Sequence, residues 1–145
     1  MFSKTCEYGI RAMVLMTEEG RVLRAKELAK KISSPESFTA KILQRLNKEG
    51  LLKSVKGPQG GYSLSRPAED ISLASIVKAL DGEGVFINCV LGLPKCNAKQ
   101  PCPLHNQFGV IRDNISHMLR NTNLYNLHRE LPRNQSPLNS WLQKQ

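Results

Sequence analysis

Apolar side chains recur at helical spacing over residues 4–19, KTCEYGIRAMVLMTEE, until Gly20 stops the pattern. Ser3 suits the N-cap, because its hydroxyl can accept from a free N–H of the first turn. In RAKELAKKI, Leu28 and Ile32 stand four apart on one face and predict a second, short helix. In SSPESFTAKILQRLNKEG, Phe38, Ile42 and Leu46 form one stripe with Leu43 beside it. Ser34 suits the N-cap of this third helix, Pro35 its first position and Gly50 the residue after its C-cap. Its other face, over Pro35 to Glu49, carries Ser37, Lys41, Gln44, Arg45 and Lys48, with no acid.

The pattern then turns to alternation. Leu51 to Lys56 predicts a strand, GPQGG a tight turn, and Tyr62, Leu64 and Arg66 a return strand that Pro67 ends. Ser72 is expected to cap a helix whose inner face is Leu73, Ile76, Val77 and Leu80, broken over Asp81 to Gly84. Beyond a loop, apolar residues fall at 104, 108, 111, 115 and 118. Those alternating steps of four and three make an a/d seam, the pattern of a helix that pairs with another helix. Thr122 is expected to cap one more short turn, LYNLHREL.

The fold class is therefore mainly α: a winged helix-turn-helix domain with a two-stranded β wing, then a long C-terminal dimerisation helix. The expected division is 1–68 for the DNA-binding domain, 69–125 for linker helix, cysteine loop and dimerisation helix, and 126–145 for a flexible tail in which Trp141 could dock. In such a domain the third helix enters the major groove, where side chains meet base edges. Ser37 and Lys41 lie at its reading end, while Gln44, Arg45 and Lys48 are placed to meet phosphates. The narrow wing, with Lys56 at its edge and Gln59 at its tip, can enter the minor groove.

Charge sharpens this picture. Across 145 residues, 21 Lys and Arg oppose 12 Asp and Glu, a formal net charge of +9. That balance favours a polyanionic partner such as double-stranded DNA. There is no apolar run of about 18 residues, which excludes a transmembrane helix, and the start lacks the apolar core of a signal peptide. A cytoplasmic protein is expected. No phosphate loop and no nucleophile–base signature is present, so an enzyme is not expected.

Three of the four cysteines lie in CVLGLPKCNAKQPCPLH, residues 89–105. Three clustered thiols cannot pair among themselves, and a reducing compartment disfavours disulfides. Metal binding leads. Cys89, Cys96, Cys102 and His105 are separated by six, five and two residues. Such wide gaps let a loop wrap a multi-atom iron–sulfur cluster, whereas structural zinc more often uses two tight knuckles. Zinc and unmetallated redox thiols stay open. Cys102 is expected to cap the long helix, with His105 three residues on sharing its face. Cys6 reads as a helix-buried thiol.

The stretches CEYGIRAM, LNKEGLLKSVKGPQGGYSLSRP and CPLHNQFGVIRD together resemble the Rrf-two family of bacterial winged-helix transcription regulators, with its IscR-, NsrR- and CymR-like branches. The likeness spans roughly residues 1 to 125. It implies a homodimer on a palindromic operator. Carried over by position, DNA contacts fall at Pro35, Ser37, Phe38, Ala40 and Lys41 and at the wing residues Lys56, Gly57, Pro58 and Gln59. Ala40 stands where some members have a glutamate that influences base choice. The resemblance also implies a cluster held by Cys89, Cys96 and Cys102. Its fourth ligand is either His105, as in IscR-like members, or Glu7 from the other subunit, at the position of an NsrR-like aspartate. The first choice implies two irons, the second four. The expected function is a dimeric DNA-binding regulator that senses iron–sulfur, redox or nitric oxide status. Rivals are a zinc-, thiol- or partner-enzyme-sensing regulator and an iron–sulfur carrier with a docking winged helix.

Overall fold

A computed structural model describes residues 1–94 and 96–130. Helix α1 (Lys4–Glu19) is capped by Ser3, whose Oγ accepts from the Cys6 N–H at 3.1 Å, and ends at Gly20. Helices α2 (Ala25–Lys31) and α3 (Glu36–Lys48) pack on each other, and α3 packs on α1. Ile42, Leu43 and Leu46 are buried along α3, as the periodicity predicted.

The start of α3 corrects the expectation by one residue. Ser33 takes the left-handed conformation at φ 53°, and the Ser34 N–H donates back to the Ala29 carbonyl at 2.9 Å. Ser34 therefore closes α2, as in a Schellman-type end. Pro35, extended at ψ 137°, is the cap residue instead, and its carbonyl accepts from both the N–H and the hydroxyl of Thr39 at 2.9 and 3.0 Å.

Strands β1 (Leu52–Val55) and β2 (Gly61–Leu64) pair antiparallel, Leu52 opposite Leu64 and Val55 opposite Gly61. The hairpin is shorter than predicted, and Arg66 lies past the ladder, in the bend before Pro67. Leu23 adds a bridge the sequence reading did not foresee: its N–H and carbonyl exchange hydrogen bonds with Tyr62 at 2.9 and 2.8 Å. Gly61 permits this approach. A Cβ there would stand 2.4 Å from the Leu23 carbonyl oxygen, on a backbone at φ +153°.

Ser72 caps α4 (Leu73–Asp81), its Oγ accepting from the Ser75 N–H at 3.2 Å. Helix α4 lies so close to α1 that a Cβ on Gly9 would come within 2.2 Å of Leu80. The predicted break over Asp81 to Gly84 is only partly one. The chain restarts as a short helix α5 (Gly84–Ile87), pinned by buried Phe86. Four residues are too few to show a helical period.

Helix α6 (His105–Asn121) packs on α4 and α5, and α7 (Leu124–Glu130) returns to α1. Leu104, not Cys102, is the cap residue of α6. Asn123, not Thr122, caps α7, with Oδ1 accepting from the Asn126 N–H at 2.8 Å. The Thr122 carbonyl is already taken by the Leu73 N–H at 2.8 Å, and Leu124 N–H donates to Ile71 at 3.0 Å. Residues 126–130, expected to open a tail, continue α7, and Leu127 packs on the core. Residues 131–145, with Trp141, lie outside the described residues. The expected boundary at residue 68 separates no cores. Ile76 and Leu80 of α4, Leu119 of α6 and Leu124 of α7 join Met13, Met16, Leu43 and Leu46 in one cluster. No helix among the described residues is long and apolar enough to cross a membrane.

Gly61→Ala is expected to destabilise the protein by about 1–3 kcal/mol, through backbone strain and overpacking against Leu23. Urea unfolding checks this; an unchanged midpoint would contradict the assigned role of that bridge.

Candidate nucleic-acid interface and cysteine loop

Along α3, Ser37, Lys41, Gln44, Arg45 and Lys48 are all exposed; Ser37, Lys41, Gln44 and Lys48 follow at steps of four, three and four, with Arg45 beside Gln44. Pro35 is exposed at the helix start, Ala40 is half-buried, and Phe38 is half-buried with its ring edge-on to Tyr8, 5.7 Å between centroids. Phe38 is thus first a packing residue that seats α3 on α1. The wing tip, Lys56, Gly57, Pro58 and Gln59, is exposed throughout and closed by the Gly60 N–H donating to Gly57 at 2.9 Å. Arg24, which the sequence reading passed over, donates its guanidinium to the Pro58 carbonyl and ties the wing to the start of α2. None of Lys41, Arg45, Lys48, Lys53 and Lys56 enters an ion pair among the described residues. Their charge stays available to phosphates.

The loop brings its candidate ligands together in two pairs. Cys89 Sγ lies 3.8 Å from Cys102 Sγ, and Cys96 Sγ lies 3.3 Å from His105 Nδ1. No group of three or more Cys, His, Asp or Glu side chains poised for a metal forms among the described residues. The expectation that Cys102 and His105 share a helical face is corrected. Cys102 precedes proline, which disfavours the helical region, and it sits outside α6 in a turn closed by the His105 N–H donating to its carbonyl at 2.9 Å. Thiolate and imidazole donors nevertheless suit zinc or the iron of an iron–sulfur cluster. Two sulfurs bonded at about 2.3 Å to one tetrahedral metal stand about 3.8 Å apart, the separation of Cys89 and Cys102.

Cys89 is buried after α5. Backbone N–H groups of Leu91 and then Leu93, the Cys102 side chain and the Arg112 charge hold its thiol below the ordinary range, against the opposing effect of burial. Cys6 is the opposite case. Burial, then the charges of Asp81 and Glu7, push its thiol up to about 12. Glu7 sits on the first turn of α1 and accepts from Lys4 Nζ at 2.7 Å, which lowers its carboxyl below the usual range. Nothing in the local pattern marked Arg112, a cation on the inner side of α6.

The seam predicted on α6 divides between two faces. Phe108 and Ile115 are half-buried toward the body of the protein, whereas Leu104, Ile111 and Met118 are exposed, with Val110 beside them 62 % exposed.

A helical unit with an exposed cationic third helix and a basic two-stranded wing defines a winged helix-turn-helix DNA-binding protein. Comparison with known proteins narrows the class. Residues 2–130 match the family Rrf2, described as "Iron-dependent Transcriptional regulator". The HTH-type transcriptional regulator IscR of Pectobacterium atrosepticum is 31% identical over 120 residues, covering 81% of this chain and 72% of the relative. The structure of CymR, "the Global Cysteine Regulator of B. subtilis", superposes with a TM-score of 0.77 at 24% identity, covering 91% of this chain and 98% of that one. T. potens IscR superposes with a TM-score of 0.73 at 22% identity, covering 94% and 91%. The chain belongs to the Rrf2 family and is a transcription regulator of the IscR/CymR type, not an enzyme.

Cys6 is expected to resist iodoacetamide at about pH 8 in the folded protein, because only the thiolate reacts. Below 9.0 both folded and unfolded states keep the Cys6 proton; above it the unfolded state releases the proton first, so stability falls as pH rises toward about 12. Peptide mapping by mass spectrometry and urea titrations across this range test both. Labelling of Cys6 as fast as Cys96 would contradict its burial.

Proposed function

We propose that this protein is a homodimeric sensor that holds an iron–sulfur cluster in the 89–105 loop and converts its state into operator affinity. The observation that carries the reading is the pairing of Cys89 with Cys102 and of Cys96 with His105, in a loop that ends on α6. Two pairs suit a two-iron cluster, with one pair for each iron. That favours His105 as the fourth ligand over Glu7 of the partner subunit, which would complete a four-iron cluster. The family description as iron-dependent supports the same reading. Such a cluster supplies a reversible redox couple whose potential its surroundings tune, and oxidation, nitrosylation or loss would change the loop's charge and shape.

The chain's own residues carry the rest. The outward stripe of Leu104, Ile111 and Met118, with Val110, would pair with its copy across a two-fold axis. Ser37 and Lys41 would meet base edges of a palindromic operator, Gln44, Arg45 and Lys48 its phosphates, and Lys56 to Gln59 the minor groove. Pro35, Phe38 and Ala40 would set the entry of α3. A moved loop shifts the His105 end of α6, and hence the spacing of two recognition helices. Coupling of about 1–3 kcal/mol would change operator affinity about 5- to 150-fold. A thiol switch has one observation of its own, since Cys89 and Cys102 stand close enough to approach disulfide contact.

Protein purified without oxygen is expected to be coloured, with iron and sulfide in equal amounts. Cys89→Ala should abolish the chromophore and leave operator affinity at the cluster-free value. Equal operator affinity with and without an intact cluster would sink the sensor. Iron-free protein whose affinity follows thiol oxidation would instead establish the thiol switch.

Lys41→Ala and Lys56→Ala should each weaken operator binding, and the salt slope should fall by about one for each lost phosphate contact. Ile111→Glu should yield monomers in sedimentation and weaken operator binding without unfolding the winged helix. Unaltered affinity in both lysine variants would count against the assigned reading faces.

A further inference from the structure

The wing tip is poor in hydrogen-bond donors and in charge. Pro58 has no backbone N–H, and the Gly60 N–H is taken by the Gly57 carbonyl at 2.9 Å. Lys56 is the one cation in the stretch 56–60. The minor groove asks for the opposite. Its floor presents the acceptor atoms of adenine and thymine, and where it is narrow its negative potential is strongest.

Arg24 makes good that lack. It is exposed, and its guanidinium donates from Nη2 to the Pro58 carbonyl. The backbone beneath it is pinned to the wing. Leu23, the preceding residue, exchanges two hydrogen bonds with Tyr62 at 2.9 and 2.8 Å, and a Cβ on Gly61 would stand 3.1 Å from the Arg24 backbone nitrogen. One N–H on Pro58 leaves the other guanidinium donors free, and Arg24 enters no ion pair among the described residues. Arg21, by contrast, is held by Glu19 and Glu27.

The position is also one where an arginine costs local stability. Arg24 is the N-cap residue of α2, and its side chain makes no capping hydrogen bond. A guanidinium has no acceptor to offer the free N–H groups of the first turn, and its charge opposes the positive end of the helix dipole. Helix α2 gains nothing from this side chain; the wing gains a cation.

We propose that Arg24 is a specificity-determining residue of the reading head: carried on the wing tip by the Pro58 carbonyl, its guanidinium enters the minor groove with Lys56 to Gln59 and selects a narrow, A·T-rich flank on each half-site. This rests on the wing placement proposed above and is independent of what the cysteine loop holds. Arginine suits the task better than lysine, because a guanidinium is more weakly hydrated than an ammonium.

The test uses the full chain and a duplex that the wild type selects from a random-sequence pool. Hydroxyl-radical footprinting marks the minor-groove stretch that the wing protects. That stretch is then made of A·T pairs, of G·C pairs, or of inosine·C pairs, which keep the G·C major groove but lack the amino group that guanine puts in the minor groove. Wild type should bind the A·T and inosine·C flanks alike and the G·C flank about 5- to 20-fold more weakly, the lower part of the range for one mismatched base pair. Arg24→Ala should abolish the preference and bind all three flanks as the wild type binds G·C. Arg24→Lys should lose most of the preference while keeping the charge. Both variants should unfold in urea near the wild-type midpoint, since Arg24 is exposed; if R24A does not fold, R24K decides by the same comparison. Equal weakening of R24A on all three flanks would overturn the inference and leave Arg24 a phosphate contact or a brace for the wing. A wild type indifferent to the flank would overturn it too. Absence of minor-groove protection in the wild-type footprint would sink the wing placement, and this inference with it. Protection that K56A weakens, with the flank preference intact in R24A, sinks the inference alone.

Discussion

Two backbone hydrogen bonds give α6 a fixed end. Leu73 N–H to Thr122 at 2.8 Å and Leu124 N–H to Ile71 at 3.0 Å join the start of α4 to the turn after α6. Ile71, Leu119 and Leu124 bury themselves around that junction and leave it almost no freedom. Seventeen residues at about 1.5 Å each make α6 a rod of roughly 25 Å. Fixed at this end and packed on α4 and α5 along its length, the rod would pass a displacement of its other end on to those helices. The other end is His105, where the cysteine loop arrives.

That loop has little else to define it. Val90, Leu91 and Leu93 are about half exposed, so apolar burial contributes little to its shape. Its backbone is tied by local turns, Gly92 N–H to Cys89 at 3.0 Å and His105 N–H to Cys102 at 2.9 Å. Segments with few buried contacts open at low free-energy cost. Within the proposed function, what the thiols and imidazole hold therefore decides the loop's conformation, because no competing core does. The contrast with Cys6 makes the point from the other side. That thiol is enclosed in the main core with its proton held, and it contributes packing.

Elements long enough to show a period were legible in the amino-acid pattern. Helices α1, α3, α4 and α6 came from apolar spacing, and the wing came from GPQGG between alternating stretches. What escaped depends on tertiary contact. Helix α5 has four residues and is held by Phe86. The Leu23–Tyr62 bridge and the Arg24–Pro58 contact join positions more than 30 residues apart in sequence, with no local signature. The cap of α3 moved because Ser34 is consumed in closing α2. In the loop, residue types and spacing singled out Cys89, Cys96, Cys102 and His105, but their approach in two pairs is a property of the folded chain. The seam on α6 was read as one stripe because a/d spacing does not say which side faces the chain's own body. Phe108 and Ile115 turn partly inward, and Leu104, Ile111 and Met118 stay exposed on the other side.

The reading head is braced as one piece, and this shapes how any signal could reach DNA. Leu23 ties β2 to the stretch before α2, Arg24 ties the wing tip to the same stretch, and the Phe38–Tyr8 contact seats α3 on α1. Distorting α3 relative to the wing would break several of these contacts together. Swinging α6 about its Thr122 end breaks none of them. Within the proposed function, the softer motion would carry the signal: two intact winged helices would change their separation or tilt, each keeping its internal geometry. Because α1 touches α3, α4 and α7 at once, a displacement passed through α4 would move the head as a body. On the proposed function, sensing and reading would then sit at opposite ends of a chain with a single core.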